Sequence, residues 1–264
     1  MNRSLQPPDH PDFPSDGPPS DWLEILRPGS IDYPSGLAWQ RALHAQVLDA
    51  RAAGIRRGFV LLLQHDPPVV TVSRRPGAMK NILASPEILA ARGVERHETD
   101  RGGDVTYHGP GQLVVYPMVD LNDLGVRIHG WIRLLEQVLI DSLAVFRLVA
   151  GRDPGATGVW VGRHSDDQDG EGGRKIAAIG VRVSRWATMH GLALNVDPDL
   201  SHFDLIVPCG LTGRPVTSIA RECRDAGLAL PTFDEVQAVV ADRLIARLQD
   251  PSGFRDRAKS EEED

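Results

Sequence analysis

The chain contains two cysteines. One of them, Cys209, stands between Pro208 and Gly210 at the end of the short apolar run Ile206-Val207. Proline and glycine mark the point where a strand gives way to a turn, so this thiol reads as displayed. A small buried hydrophobe is the alternative for a cysteine standing alone. A displayed thiol becomes a nucleophile where positive charge favours its thiolate, and Lys175 is the cation that could supply it. The segment around Lys175 alternates as a strand. Counting by two places Lys175 on the apolar face with Ala177, Ile179, Val181 and Val183, opposite Arg174, Arg182 and Ser184. An inward lysine is costly unless a partner holds its charge or it works as a base. The other reading is a lysine fraying outward at the strand start. A presented thiol with a base and a positive charge within reach suggests thioester chemistry.

Two further segments could build a site around that pair. In Arg101-Gly102-Gly103-Asp104-Val105-Thr106-Tyr107-His108-Gly109-Pro110-Gly111-Gln112 the glycines let backbone approach a ligand. The run lacks the lysine ending of a phosphate-cradling loop and does not fit the dinucleotide fingerprint. It reads as a binding wall or as a glycine-rich hairpin. In Met189-His190-Gly191-Leu192-Ala193-Leu194-Asn195-Val196, Gly191 and Ala193 share a face and are small, as are Ala178 and Gly180 on the preceding strand. Small residues on neighbouring strands leave a slot for a long apolar chain, or else permit tight packing. His108 and His190 read either as orienting groups at the site or as satisfied structural histidines. Cys223 falls in what reads as a surface helix, Ser218 to Arg224, and takes no role.

The elements that must position these residues are mixed. Helices are expected over 35–53, 131–148 and 232–248, the last opened by a capping box of Thr232 and Glu235, with a short helix from Ser85 to Gly93. Strands are expected over 59–64, 69–73, 105–108, 112–119, 159–161, 175–184 and 187–196. Strands follow one another by short turns rather than in strict βαβ alternation, which predicts an α+β fold: a mixed or antiparallel sheet with packed helices. Residues 1–20 hold six prolines and predict a disordered tail, 21–250 a single catalytic domain, and 251–264 a charged tail. The stretch Arg163 to Gly173 predicts a flexible loop.

Composition narrows the class. Hydrophobic residues at 41% and charged residues at 25% suit a soluble globular protein. The longest apolar runs are too short to span a bilayer, and residues 1–8 lack the apolar core of a signal peptide. Two cysteines without regular spacing argue against a disulfide scaffold or a zinc site, and point to a reducing, cytoplasmic setting. A net charge of −7 excludes a whole-surface footprint for nucleic acid, while an acidic partner could still dock on a local basic patch. Arg74, Arg75, Lys80, Arg101, Arg163, Arg174, Arg182 and Arg185 are the stock for such a patch.

Taken together, four segments resemble the lipoyl(octanoyl) transferase family: Arg101 through Gln112, Lys175 to Gly180, His190 to Val196, and Pro208 to Gly210. They occur in that family's order, and the resemblance covers about Trp22 to Leu248. It implies a fold shared with biotin protein ligases and lipoate ligases. It implies transfer of an octanoyl group from octanoyl-acyl carrier protein to a specific lysine of a lipoyl domain or of glycine cleavage H protein, with no cofactor and no metal. By similarity, Cys209 carries the acyl group and Lys175 favours its thiolate. Arg101, Gly102, Gly103, Asp104, Val105, Thr106, Tyr107 and His108, with Ala178, Ile179, Gly180, Gly191, Leu192 and Ala193, would line the octanoyl pocket. An ATP-dependent lipoate or biotin ligase would need an adenylate-handling loop that the sequence does not offer. A cysteine hydrolase using Cys209 and His190 would differ in taking water as acceptor.

Overall fold

The computed structural model describes residues 21–162, 173–207 and 214–255. The expectations for Cys209, Pro208, Gly210, Arg163, the N-terminal tail, most of the 163–173 loop and the last nine residues lie outside the described residues.

Among the described residues, ten strands form two sheets. The large sheet contains β1 (Leu23–Ile31), β2 (Gly58–His65), β6 (Gln112–Met118), β7 (Ala150–Asp153), β8 (Ala156–Val161), β9 (Arg174–Ser184) and β10 (Ala187–Asn195). Its order is β1-β2-β6-β10-β9-β8-β7. The small sheet is β4-β3-β5, from β3 (Val69–Ser73), β4 (Glu95–Thr99) and β5 (Val105–His108). β1 runs parallel to β2 and β3 to β4, and the other pairs are antiparallel. The α+β class expected from sequence is the one observed.

The layers follow from burial. β2 and β6 are near-continuous apolar runs because both of their faces are covered. On one face lie α4 (Ile128–Val145), α5 (Ile219–Asp225) and α6 (Phe233–Gln249), whose Leu134, Leu135, Val138, Ile219, Val240 and Leu244 close the largest core over Val60, Leu62, Val115 and Leu194. On the other lies α1 (Tyr33–Ala52), packing Leu43, Val47 and Leu48 against Phe59, Leu61, Val114 and Ala193. α1 is capped by Asp32, whose carboxylate accepts from Ser35 N at 2.7 Å, and α6 has the expected capping box. The small sheet has its own core, where Val70, Val72, Val105 and Tyr107 meet Leu89 of α2 (Pro86–Ala91). The short α3 (Leu121–Leu124) links β6 to α4.

Three readings are corrected. The strands flanking Gly109-Pro110-Gly111 do not fold onto each other: β5 joins β3 in the small sheet and β6 joins β2 and β10 in the large one, so the turn carries the chain between sheets. Gly111 is required there, since its φ is +81° and a Cβ would run into the Asp197 backbone. Cys223 is not on a surface helix; it is fully buried on the core side of α5. Counting by two fails at Lys175. Val159 pairs with Ala177 but Trp160 pairs with Lys175, so β9 carries one extra residue between them. This β-bulge puts Lys175 and Ala177 on opposite faces.

Candidate active site

A narrow cavity opens where the large sheet meets the small one. It holds about 460 Å³ of empty space, counting its open mouth. It is a slot, not a chamber. One wall is the sheet itself: Ala178, Ile179 and Gly180 of β9, and His190, Gly191, Leu192 and Ala193 of β10. Gly180 pairs with Gly191 and Ala178 with Ala193, so the small residues sit side by side. A Cβ on Gly180 would lie 3.0 Å from the Gly102 carbonyl oxygen and 3.1 Å from Arg101 Cδ, so the slot is narrow because loop 101–103 lies across it. Gly191 answers a different demand: a Cβ there would run into the Val115 carbonyl of β6.

The opposite wall comes from the glycine-rich run, in alternation. Thr106 and His108 face the cavity, while Val105 and Tyr107 point into the small-sheet core, where the Tyr107 hydroxyl lies 2.9 Å from His202 Nδ1. Arg101 and Gly103 line the cavity; Gly102 instead anchors the loop, its N–H donating to the Val181 carbonyl at 2.9 Å. Asp104 turns to Asn81, accepting from its Nδ2 at 2.8 Å. Arg101 is locked by hydrogen bonds to the Thr71 carbonyl and hydroxyl, both at 3.1 Å.

Sequence reasoning missed Tyr33, His65, Asp100 and Tyr116. Tyr33 and Tyr116 line the cavity. Tyr116 was hidden in an apolar strand, and its hydroxyl is 2.9 Å from His65 Nε2. The other nitrogen of His65 lies 3.1 Å from the Ile31 carbonyl, to which it must donate, so Nε2 accepts from the phenol. Burial pushes the His65 pKa down to about 4, and the ring is neutral at pH 7. Asp100 stands between β4 and the glycine-rich run, directly before Arg101 and outside the run as read from sequence. Its carboxylate is 2.9 Å from His190 Nε2 and pairs with Arg182. Burial would raise the pKa of Asp100, but the His190 hydrogen bond and the Arg182 charge hold it below the usual carboxylate range. Burial lowers the pKa of His190 despite the opposing pull of Asp100, so Nε2–H donates to the carboxylate.

His190 reaches this position by a local irregularity. Its register partner is Val181, on the α4 face, yet its ring packs edge-on to Tyr116 on the α1 face. Its φ is +56°, and that left-handed residue turns the imidazole to the cavity side. His108 is also buried; its Nδ1 is 2.8 Å from Gln112 Oε1. Burial first, then the neighbouring His65, push its pKa well below the usual histidine value.

Lys175 is 5% exposed, with its ammonium 5.2 Å from the centre of the Trp160 ring. Its main chain is bonded on both sides: Lys175 N–H donates to Pro215 and its carbonyl accepts from Thr217 N–H, at 2.8 and 2.9 Å. Val207, two residues before Cys209, donates its N–H to the Asn81 carbonyl at 2.7 Å. Among the basic residues singled out, Arg174 is committed to Glu222, Arg182 to Asp100, and Arg101 to Thr71. Arg74, Arg75 and Lys80 are exposed, on a segment tied to the cavity loop through Ser73 Oγ and the Gly103 carbonyl at 2.9 Å.

The family model of the lipoyl protein ligase A/B catalytic domain matches residues 32–245. An octanoyltransferase of Solibacter usitatus is 50% identical over 192 residues, covering 73% of this chain and 80% of its own. One of Gloeobacter violaceus is 46% identical over 217 residues, covering 82% and 86%. Among solved structures, a lipoate-protein ligase A bound with ATP superposes with a TM-score of 0.63 at 15% identity, covering 86% of this chain and 85% of that one. A bi-partite lipoate protein ligase from Thermoplasma acidophilum gives 0.60 at 17% identity, covering 86% and 83%. At such identities these two speak for the fold alone.

Proposed function

The chain belongs to the lipoyl protein ligase A/B catalytic domain family, and on that premise we propose that it is an octanoyltransferase of protein lipoylation. It moves an octanoyl group from octanoyl-acyl carrier protein to a specific lysine of lipoyl domains and of glycine cleavage H protein. The reading rests on one observation above the others: the small-residue stretches of β9 and β10 and the glycine-rich run meet across one narrow slot. A narrow slot with a floor of small and apolar residues, Ala178, Ile179, Gly180, Gly191, Leu192 and Ala193, suits an extended alkyl chain.

In this reading the Cys209 thiolate attacks the carrier thioester; a C–S bond to Cys209 forms and the carrier thiol leaves. The neutral amine of the acceptor lysine then attacks the acyl-Cys209. The N–C bond forms, the C–S bond breaks, and the proton lost from nitrogen restores the cysteine thiol. Lys175 serves as the cation beside the thiolate or as base. The acyl group stays at thioester level until it becomes an amide, so no nucleotide is consumed.

Intact mass after incubation with octanoyl-acyl carrier protein tests this. A single octanoyl adduct is expected without ATP, lost in Cys209→Ser and kept in Cys223→Ser. An adduct that forms only with ATP would overturn the reading.

A further inference from the structure

The hydrogen-bond chain behind His108 has a fixed direction. It begins at a group that can only accept, the main-chain carbonyl of Thr217, which takes a hydrogen bond from Asn195 Nδ2 at 2.9 Å. Asn195 must then turn Oδ1 toward Gln112, whose Nε2 donates to it at 2.8 Å. Gln112 is left with Oε1 facing His108 Nδ1 at 2.8 Å. An amide oxygen only accepts, so the imidazole proton is on Nδ1. Reversing any amide would set lone pairs or donors face to face, and His108, Gln112 and Asn195 are 6%, 2% and 4% exposed, too enclosed for water to relieve it. The neutral ring therefore leaves Nε2 bare. No described residue donates to that nitrogen, and the ring is part of the cavity wall.

A second chain has the same polarity. The Ile31 carbonyl accepts from His65, and His65 accepts from the Tyr116 hydroxyl, so the phenol gives its proton away from the cavity and keeps its lone pairs for it. The His65 and His108 rings are 5.7 Å apart. The polar part of the wall is thus set to receive hydrogen-bond donors. It is also linked to Lys175, because Thr217, where the first chain ends, donates its own N–H to the Lys175 carbonyl at 2.9 Å.

An octanoyl chain has no N–H or O–H to offer such a wall. The attacking amine has. Resting on the octanoyltransferase reading, we propose that His108 Nε2 receives a hydrogen bond from the acceptor lysine's amine during transfer, with Gln112 and Asn195 as positioning residues that hold His108 in the Nδ1–H tautomer. As the N–C bond forms, the nitrogen becomes acidic; His108 takes its proton and returns it to the departing Cys209 sulfur. Burial keeps the ring unprotonated at neutral pH, and so open as an acceptor.

Two measurements test this on the full chain. Ring ¹⁵N NMR reads the tautomer directly: His108 is expected as neutral Nδ1–H from pH 6 to pH 8, with the preference lost in Gln112→Met. Single-turnover mass spectrometry separates the two half-reactions. His108→Ala is expected to slow transfer to the lipoyl domain about 100-fold more than it slows acylation, and Gln112→Met about 10-fold more. An Nε2–H or charged His108 in the native protein overturns the proposal. So does equal slowing of both steps, or an unaltered transfer step in an enzyme that carries the adduct. Failure of the native protein to take up any octanoyl adduct sinks the transferase reading itself and this inference with it.

Discussion

Replacing His190 by alanine and, separately, by glycine measures what the left-handed residue in β10 contributes. In a regular strand alanine outranks glycine by roughly 0.5–1 kcal/mol, because glycine loses more backbone freedom on folding. At φ +56° the order should invert. A residue with a Cβ pays about 1–2 kcal/mol to stay in this region and glycine almost nothing. Both variants lose the same 2.9 Å hydrogen bond to Asp100. A buried bond to a charged group is worth roughly 1.5–3 kcal/mol, and that loss cancels between them. Both keep the main-chain N–H that donates to Gln40 Oε1 at 2.9 Å. His190→Gly should therefore be more stable than His190→Ala by about 0.75 kcal/mol, taking the middle of each range, the two effects opposing each other and the steric one winning. Urea unfolding at equal m-value reads the difference as a shift in midpoint. An alanine variant as stable as the glycine variant, or more so, would refute the reasoning: the backbone would then not be held left-handed, and some other force would aim the imidazole.

Three more outcomes follow from the same geometry. Because the Asp100 pKa is depressed below its ordinary 3.8, its contribution to stability is complete above about pH 5 and lost as pH falls through the folded value; the gap between the native protein and Asp100→Asn should close in acid, and a gap independent of pH would count against the pairing. Cys223 is fully buried, and burial followed by the neighbouring Glu222 pushes its thiol up; it should resist iodoacetamide in the native state, and Cys223→Ser should cost about 1–2 kcal/mol without altering transfer. Reversing the charge of exposed Arg74 and Arg75 should raise KM for an acidic donor protein several-fold, more at low salt, and leave a small thioester donor unaffected; an unchanged KM would remove this segment from the docking surface.

How much of this was legible in the sequence varies by element. The long helices, the apolar strands β2, β6 and β10 and the capping box of α6 announce themselves by periodicity and by end signals. β1, β4 and β7 do not. β4 is Glu-Arg-His-Glu-Thr, mostly exposed at the edge of the small sheet, and carries little apolar signal. β7, at the edge of the large sheet, has a bulge of its own. The glycine-rich run was found as a segment, but which of its side chains face the cavity depends on β5 belonging to a second sheet, a tertiary fact. Asp100, His65 and Tyr116 were invisible for the same reason. Each is defined by a partner far off in the chain, as Asp100 is by His190, ninety residues away.

The two strands that carry the small residues also show why alternation alone misleads at such a site. Ala178 and Gly180 share a face, and Lys175, an odd number of positions away, belongs on the other. Gly191 and Ala193 share a face, and His190 belongs on the other. A slot that needs both a smooth floor and polar groups beside it cannot be built from either strand if the period of two is kept. Each strand breaks the period once. β9 inserts an extra residue after Lys175, which returns the lysine to the face of Ala178; β10 sets His190 left-handed, which turns its ring to the face of Ala193. Both devices weaken a ladder locally, and both lie where a polar side chain must be re-aimed without moving its neighbours. Deleting Ile176, the residue between the two mismatched pairs, would restore regular pairing with β8 and leave Lys175 opposite Trp160, one step from Ala177 and so still on the face of Ala178. Both the deletion and Ile176→Ala remove a fully buried side chain from the α4-side core, so each should cost about 2–5 kcal/mol in urea unfolding and leave transfer intact; a deletion far costlier than Ile176→Ala would refute this register.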